Sequence, residues 1–192
     1  STTMNTHPSR TPRQNGFTLV ELLIVVIILA IIAAIALPQL SATTSDAKES
    51  ALMSNLSRMR SAIDLYFQQH GHYPGSVDAT GATCPSSGTA GLGDASSAAQ
   101  QATAFASHLT MFSNAAGQAC STTDTAFKFG PYIKSAATGA NGIPANAVTT
   151  SRTVTVVSTG DLNMTSTSTT GGWKYDTVTG KLIVDHSSYD HL

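Results

Sequence analysis

The chain has 192 residues, a formal net charge of −1 and only 11% charged side chains. Its basic residues form no stripe of the kind that tracks a phosphate backbone, which argues against a nucleic-acid binder. Two cysteines are too few to build a cysteine-ligated metal centre, and the length allows one modest domain with a small core.

Residues 1–16 contain Arg10 and Arg13 and no acid. A polar, positive flank of this kind stays on the cytoplasmic side of a membrane. From Phe17 to Leu37 the chain is apolar almost without a break, and Glu21 is its one charged residue. At about 1.5 Å of rise per residue the segment reaches roughly 30 Å, the thickness of a bilayer's hydrocarbon core. A carboxylate inside such a segment costs about 2.5–3.5 kcal/mol on insertion scales, so a cationic partner is expected. A cut between Gly16 and Phe17 would create one, the new terminal amine. A secretory signal peptide is cut after its apolar region and loses it. A cut here precedes the apolar region, which the mature chain keeps. Losing residues 1–16 leaves 8 basic and 11 acidic residues, a net charge of −3.

The run Gly16-Phe17-Thr18-Leu19-Val20-Glu21-Leu22-Leu23 resembles the processing site of type IV prepilins and type II secretion pseudopilins. The resemblance implies that a membrane prepilin peptidase cuts after Gly16 and methylates the amino group of Phe17. It implies that Glu21 pairs with the terminal amine of a neighbouring subunit during filament assembly, and that Pro38 is the family's helix-kinking proline. The motif covers about 25 residues. Beyond it, Gly130-Pro131-Tyr132 and Trp173-Lys174-Tyr175-Asp176 are more weakly similar to segments of pilin and pseudopilin globular domains.

The helix is expected to continue past Pro38, bent rather than ended, because an interior proline removes one hydrogen bond and kinks the axis. Leu52, Leu56, Met59, Ile63 and Tyr66 then recur at helical spacing, opposite Lys48, Glu49, Ser54, Arg58, Ser61 and Gln68. One long helix over about 18–69 follows, closed by Gly71 and Pro74. Residues 75–93 are rich in Gly, Ser, Thr and Ala and read as a loop. Asp94 is a fair N-cap for a second helix near 95–116. Ala98, Ala102, Phe105, Leu109 and Phe112 give that helix an apolar face, and Gly117 ends it. Cys84 and Cys120 bracket it. Outside the cytoplasm an isolated pair is most simply a disulfide, the alternative being two buried thiols.

After residue 121 the pattern turns to strands. Phe127-Lys128-Phe129 is a short extended piece, and Arg152–Val157 has β-branched strand content. Trp173–Tyr175 and Lys181–Val184 read as a hairpin around Asp176–Gly180. A three-stranded antiparallel sheet packed on the amphipathic half of the long helix is expected. The fold class is therefore α+β, with a helical insert between helix and sheet. The organisation is 1–16 leader, 17–37 transmembrane or filament-core helix, 38–70 amphipathic half and 71–192 globular head.

Chemistry is sparse. His70 and His72 are a weak metal pair, better read as surface polar residues, and His108 reads as partly exposed rather than catalytic. Asp161, Asn163, Asp176, Asp185 and Asp190 offer oxygen ligands, but their spacing matches no calcium loop. No nucleophile elbow or phosphate loop is present, so no catalytic set, metal or cofactor is assigned. The expected function is a structural subunit of a type IV pilus-like filament, a homo-oligomer built by an inner-membrane assembly platform after prepilin peptidase processing. The precursor sits in the inner membrane as a single-pass protein, and the product is an extracellular pilus or a periplasmic pseudopilus. Alternatives are a secretion pseudopilin, or a minor tip subunit that binds a surface or DNA.

Overall fold

The computed structural model describes residues 16–135 and 137–192, and within them the side chains of 37–42 are left undescribed. The chain divides into two compact units, one ending at Ser45 and one comprising Asp46–Leu192. Helix α1, Leu19–His70, runs through both.

In the first unit α1 is apolar on every side. Leu19–Ala36 has a mean hydropathy of 3.2, is long and apolar enough to cross a membrane, and has none of its residues buried. A helix that is hydrophobic all round needs lipid or other helices around it. Helical hydrogen bonding continues past Pro38; the kink expected there lies outside the described side chains.

In the second unit α1 becomes amphipathic, and the periodicity read from the sequence is the one observed. Leu52, Leu56, Met59, Ile63 and Tyr66 are all buried, whereas Lys48, Glu49, Ser54, Arg58, Ser61 and Gln68 are exposed. The stripe packs on Phe105 and Leu109 of α2 (Ala98–Thr110) and on Trp173, Tyr175, Leu182 and Val184 of the sheet. Fully buried rings and aliphatic chains of this size contribute about 1.5–3 kcal/mol each. Helix α1 ends as its sequence directs. Gly71 adopts φ 74° and its N–H closes on Phe67 O at 2.8 Å, the left-handed stop that glycine takes without steric cost.

Helix α2 is shorter than its apolar pattern suggests. Its N-cap is Ser97, whose side chain accepts from Gln100 N, and not Asp94, which instead accepts from Ser96 N at 2.8 Å. The helix stops at Thr110, because the next residues pair as strands: β1 (Phe112–Ser113) with β2 (Ala119–Cys120), antiparallel. Gly117 lies in the turn between them, not at a helix end.

The main sheet has the order β3 (Val154–Val157), β4 (Trp173–Asp176), β5 (Leu182–Val184). Strands β4 and β5 form the expected antiparallel hairpin, with Trp173 opposite Val184 and Tyr175 opposite Leu182. Strand β3 runs parallel to β4, so the sheet is mixed rather than wholly antiparallel. Residues 158–172 are long enough for the crossover that a parallel pair requires. They also cover the outer face of β4. Lys174 Nζ donates to Thr165 O at 2.7 Å, and all four β4 residues are buried.

Candidate processing and assembly site

Among the described residues, nothing packs on the segment around the Gly16–Phe17 bond. Gly16 has no heavy atom within 4 Å of where a Cβ would stand, and Phe17 is 78% exposed. Thr18 starts α1: its Oγ1 accepts the Glu21 N–H at 3.2 Å and its carbonyl accepts the Leu22 N–H at 3.2 Å. Thr18-Leu19-Val20-Glu21 is thus the S/T-x-x-E pattern of a helix start with its first hydrogen bond made. In the sequence Glu21 stands out by its charge; Thr18, the residue missed there, is signalled as its cap by the spacing alone. Glu21 is exposed and occupies the first turn, where the helix dipole favours a negative group. Leu22, Leu23, Ile24 and Val25 beyond it are between 48% and 58% exposed. The segment therefore presents one carboxylate on an uncovered apolar rod, two helical turns or less from the Gly16–Phe17 bond. Arg10 and Arg13 lie outside the described residues.

The second unit carries a stapled surface region. Cys84 and Cys120 form a disulfide with Cα atoms 5.7 Å apart and a sequence separation of 36. Loop closure of that length stabilises a fold by about 4 kcal/mol in the chain-entropy account. Backbone hydrogen bonds fasten the same loop: Gly91 N–H to Ala119 O at 2.8 Å, Ser121 N–H to Thr89 O at 2.9 Å and Ala79 N–H to Gly93 O at 3.0 Å. At Gly93, with φ 90°, a Cβ would fall 2.1 Å from Ala104 N, so only glycine lets the loop lie this close to α2.

The histidines are structural and more enclosed than their sequence context suggested. His108 is fully buried, not partly exposed. Its Nδ1 accepts the Gly75 N–H at 2.9 Å, which leaves the neutral ring's proton on Nε2. Burial, with His72 nearby, lowers its pKa to about 3. His70 stacks on Tyr66 with ring centroids 4.2 Å apart. Its Nε2 lies 3.0 Å from Ser113 Oγ and 3.2 Å from Tyr132 OH. Desolvation, with a smaller contribution from His72, brings its pKa down to about 4, and burial lowers His72 as well. His70 and His72 are half-buried around Tyr66 rather than surface residues. Among the described residues no group of three or more His, Cys, Asp or Glu side chains is arranged to hold a metal ion.

The C-terminal acids are engaged within the fold. Asp185 accepts from Thr167 N at 2.8 Å and from Thr155 Oγ1 at 3.2 Å. Asp176 accepts from Val178 N at 2.8 Å, Asp161 from Asn163 N at 2.8 Å and Asp190 from Ser166 N at 2.9 Å. They tie the 158–172 crossover and the hairpin turn in place.

Residues 11–37 match the prokaryotic N-terminal methylation motif. The chain is 40% identical over 68 residues to a fimbrial protein of Neisseria meningitidis serogroup B, covering 35% of this chain and 40% of that one. It is 38% identical over 74 residues to the type IV major pilin protein PilE1 of Neisseria gonorrhoeae, covering 38% and 45%. It is 31% identical over 64 residues to the type II secretion system core protein G of Escherichia coli K12, covering 33% and 44%. The chain thus spans less than half the length of each of these relatives. No solved structure matches it. The chain carries the N-terminal methylation motif, and a third or so of its length is similar to type IV pilins and type II secretion pseudopilins.

Proposed function

We propose that this chain is a structural subunit of a type IV pilus-like filament. The observation that carries the reading is the wholly uncovered apolar stretch Leu19–Ala36, which lies within the matched methylation motif and holds a single acid. The precursor is held in the inner membrane by residues 17–37, leader inside and head outside. Prepilin peptidase cuts after Gly16 and methylates the amine of Phe17. An inner-membrane platform then moves subunits from lipid into a helical filament, where each apolar helix is surrounded by copies of itself. Glu21 meets the Phe17 amine of a neighbour. Burying either charge alone is strongly unfavourable, so their pairing selects one axial register.

The test is electron microscopy of sheared cell-surface material with mass analysis of the subunit N-terminus. N-methyl-phenylalanine at position 17 in a filament protein is expected. A native chain that keeps residues before Phe17 and stays dispersed in the bilayer would overturn the reading.

A second reading, a periplasmic pseudopilus subunit, is supported by the similarity to type II secretion core protein G. Deleting the protein separates the two: loss of surface filaments marks a pilus, loss of exoprotein secretion a pseudopilus.

A further inference from the structure

Two asparagines in the chain begin an Asn-x-Ser/Thr triplet, Asn55-Leu56-Ser57 and Asn163-Met164-Thr165. This triplet is the acceptor pattern for N-linked glycosylation and is used where it lies on a surface loop outside the cytoplasm. The fold treats the two in opposite ways.

Asn55 lies on α1 and is half-buried. Its Nδ2 donates to Ala145 O at 3.0 Å, and Leu56 beside it belongs to the core. A transferase would have to unwind the helix and extract a core leucine to reach that nitrogen.

Asn163 lies in the crossover between β3 and β4, and both it and Thr165 are exposed. Leu162 before it is 66% exposed. The backbone on either side is fixed: Asp161 accepts the Asn163 N–H at 2.8 Å, Met164 is buried, and Thr165 O is held by Lys174 Nζ at 2.7 Å. The Asn163 carboxamide has no side-chain partner among the described residues. The result is a carboxamide and, two residues on, a hydroxyl, both presented to solvent by an anchored turn.

We infer that Asn163 is an N-glycosylation site whose donor is a membrane-held polyprenyl-diphosphate oligosaccharide. In the transfer, a bond forms between Asn163 Nδ2 and C1 of the first sugar. The bond from that C1 to the diphosphate oxygen breaks. The polyprenyl diphosphate leaves with the bonding electron pair, and the amide nitrogen gives up one proton to solvent. The inference rests on the proposed topology in one respect only: residues 46–192 must reach the outer side of the membrane, where such transfer occurs.

The test is expression of the full chain beside an inner-membrane oligosaccharyltransferase and an undecaprenyl-diphosphate-linked oligosaccharide of known mass, followed by intact-mass and glycopeptide analysis. The wild type and N55Q are expected to gain one glycan at Asn163. N163Q and T165A are expected to lose it completely, and T165S to keep it. The state of Cys84 and Cys120 is read in the same sample. Chains with the disulfide formed but Asn163 unmodified overturn the site, as does a glycan on Asn55 in its place. Chains with both cysteines as thiols show a head that never left the cytoplasm, which overturns the topological reading and the site together.

Discussion

Thr18 Oγ1 accepts the amide hydrogen of Glu21 at 3.2 Å. The bond fixes the first turn of α1 without using the Glu21 carboxylate, which has no partner within its own chain among the described residues. The acid is thus held in place on a rigid turn and left available to a group from another molecule. That division of labour leads to the first prediction.

Glu21→Ala leaves cleavage after Gly16 and folding of the head intact but depletes the sheared filament fraction. Removing one member of a buried charge pair costs about 3–5 kcal/mol, so a drop of roughly a hundredfold or more in incorporation is expected. Immunoblots of membrane and sheared fractions measure it, and a normal filament yield would refute the pairing. Thr18→Ala removes only the cap, worth about 1 kcal/mol, and should lower yield far less.

Replacing Cys84 and Cys120 by serine destabilises the second unit by about 4 kcal/mol. Trp173 is the chain's one tryptophan and is fully buried, so its fluorescence reports unfolding directly. Urea titration of the full chain in detergent, with and without reductant, should move the wild type down to the variant's midpoint and leave the variant unchanged. No reductant effect on the wild type would contradict the staple.

Stability falls as the solution is acidified from about pH 6.5 toward pH 3. Burial depresses His70 to about 4 and His108 to about 3, whereas an unfolded histidine titrates near 6.5. Above that value both states are neutral and nothing is gained or lost. Below it the unfolded chain takes up protons first, which removes stability at up to about 1.4 kcal/mol per pH unit for the fully buried His108 until its folded value is reached, and by less for the half-buried, solvent-screened His70. His108→Gln removes one ring's share, so its dependence between pH 6 and pH 4 should be shallower, measured by the same titrations.

Gly180→Ala destabilises the hairpin strongly and Gly160→Ala mildly. Both glycines have positive φ, 72° and 70°. A Cβ at Gly180 falls 2.2 Å from Tyr73 Cε1, whereas at Gly160 the nearest atom is 3.4 Å away. Tyr73 cannot yield freely, because it stacks on Phe67 of α1 with ring centroids 4.4 Å apart. Left-handed backbone strain alone costs about 1–2 kcal/mol, and overpacking adds about 1–3 kcal/mol at Gly180 only. Equal midpoints for the two variants would argue against the Tyr73 contact.

The α1 stripe and the β4–β5 hairpin were readable because each depends on local period: Leu52 to Tyr66 repeat at helical spacing, and Gly180 closes a short turn between two apolar runs. What escaped was non-local. Nothing in Val154–Val157 encodes strand direction, since β-branched content suits parallel and antiparallel neighbours alike. Met111 and Phe112 continue the apolar pattern of α2, yet the strand pairing of 112–113 with 119–120 ends the helix first. His108 looked accessible because it flanks the main stripe of α2. The loop at 75–93 folds over that flank, with Ser107 Oγ bonded to both Leu92 N and Leu92 O, and makes it interior. At the N-terminal site Gly16, Phe17 and Glu21 were readable as a motif, and the S/T-x-x-E spacing also made Thr18 readable as a cap, though it was passed over; the geometry shows its bond made.

The bond between Cys84 and Cys120 encloses most of the glycine-rich surface stretch together with α2. A protease that nicks the backbone once anywhere between those residues leaves a molecule that is still in one covalent piece. The two ends separate only after a reductant reaches the sulfurs. In the proposed filament this would be tolerance to wear: a cut subunit would not be shed, and the damage would show only on a reducing gel.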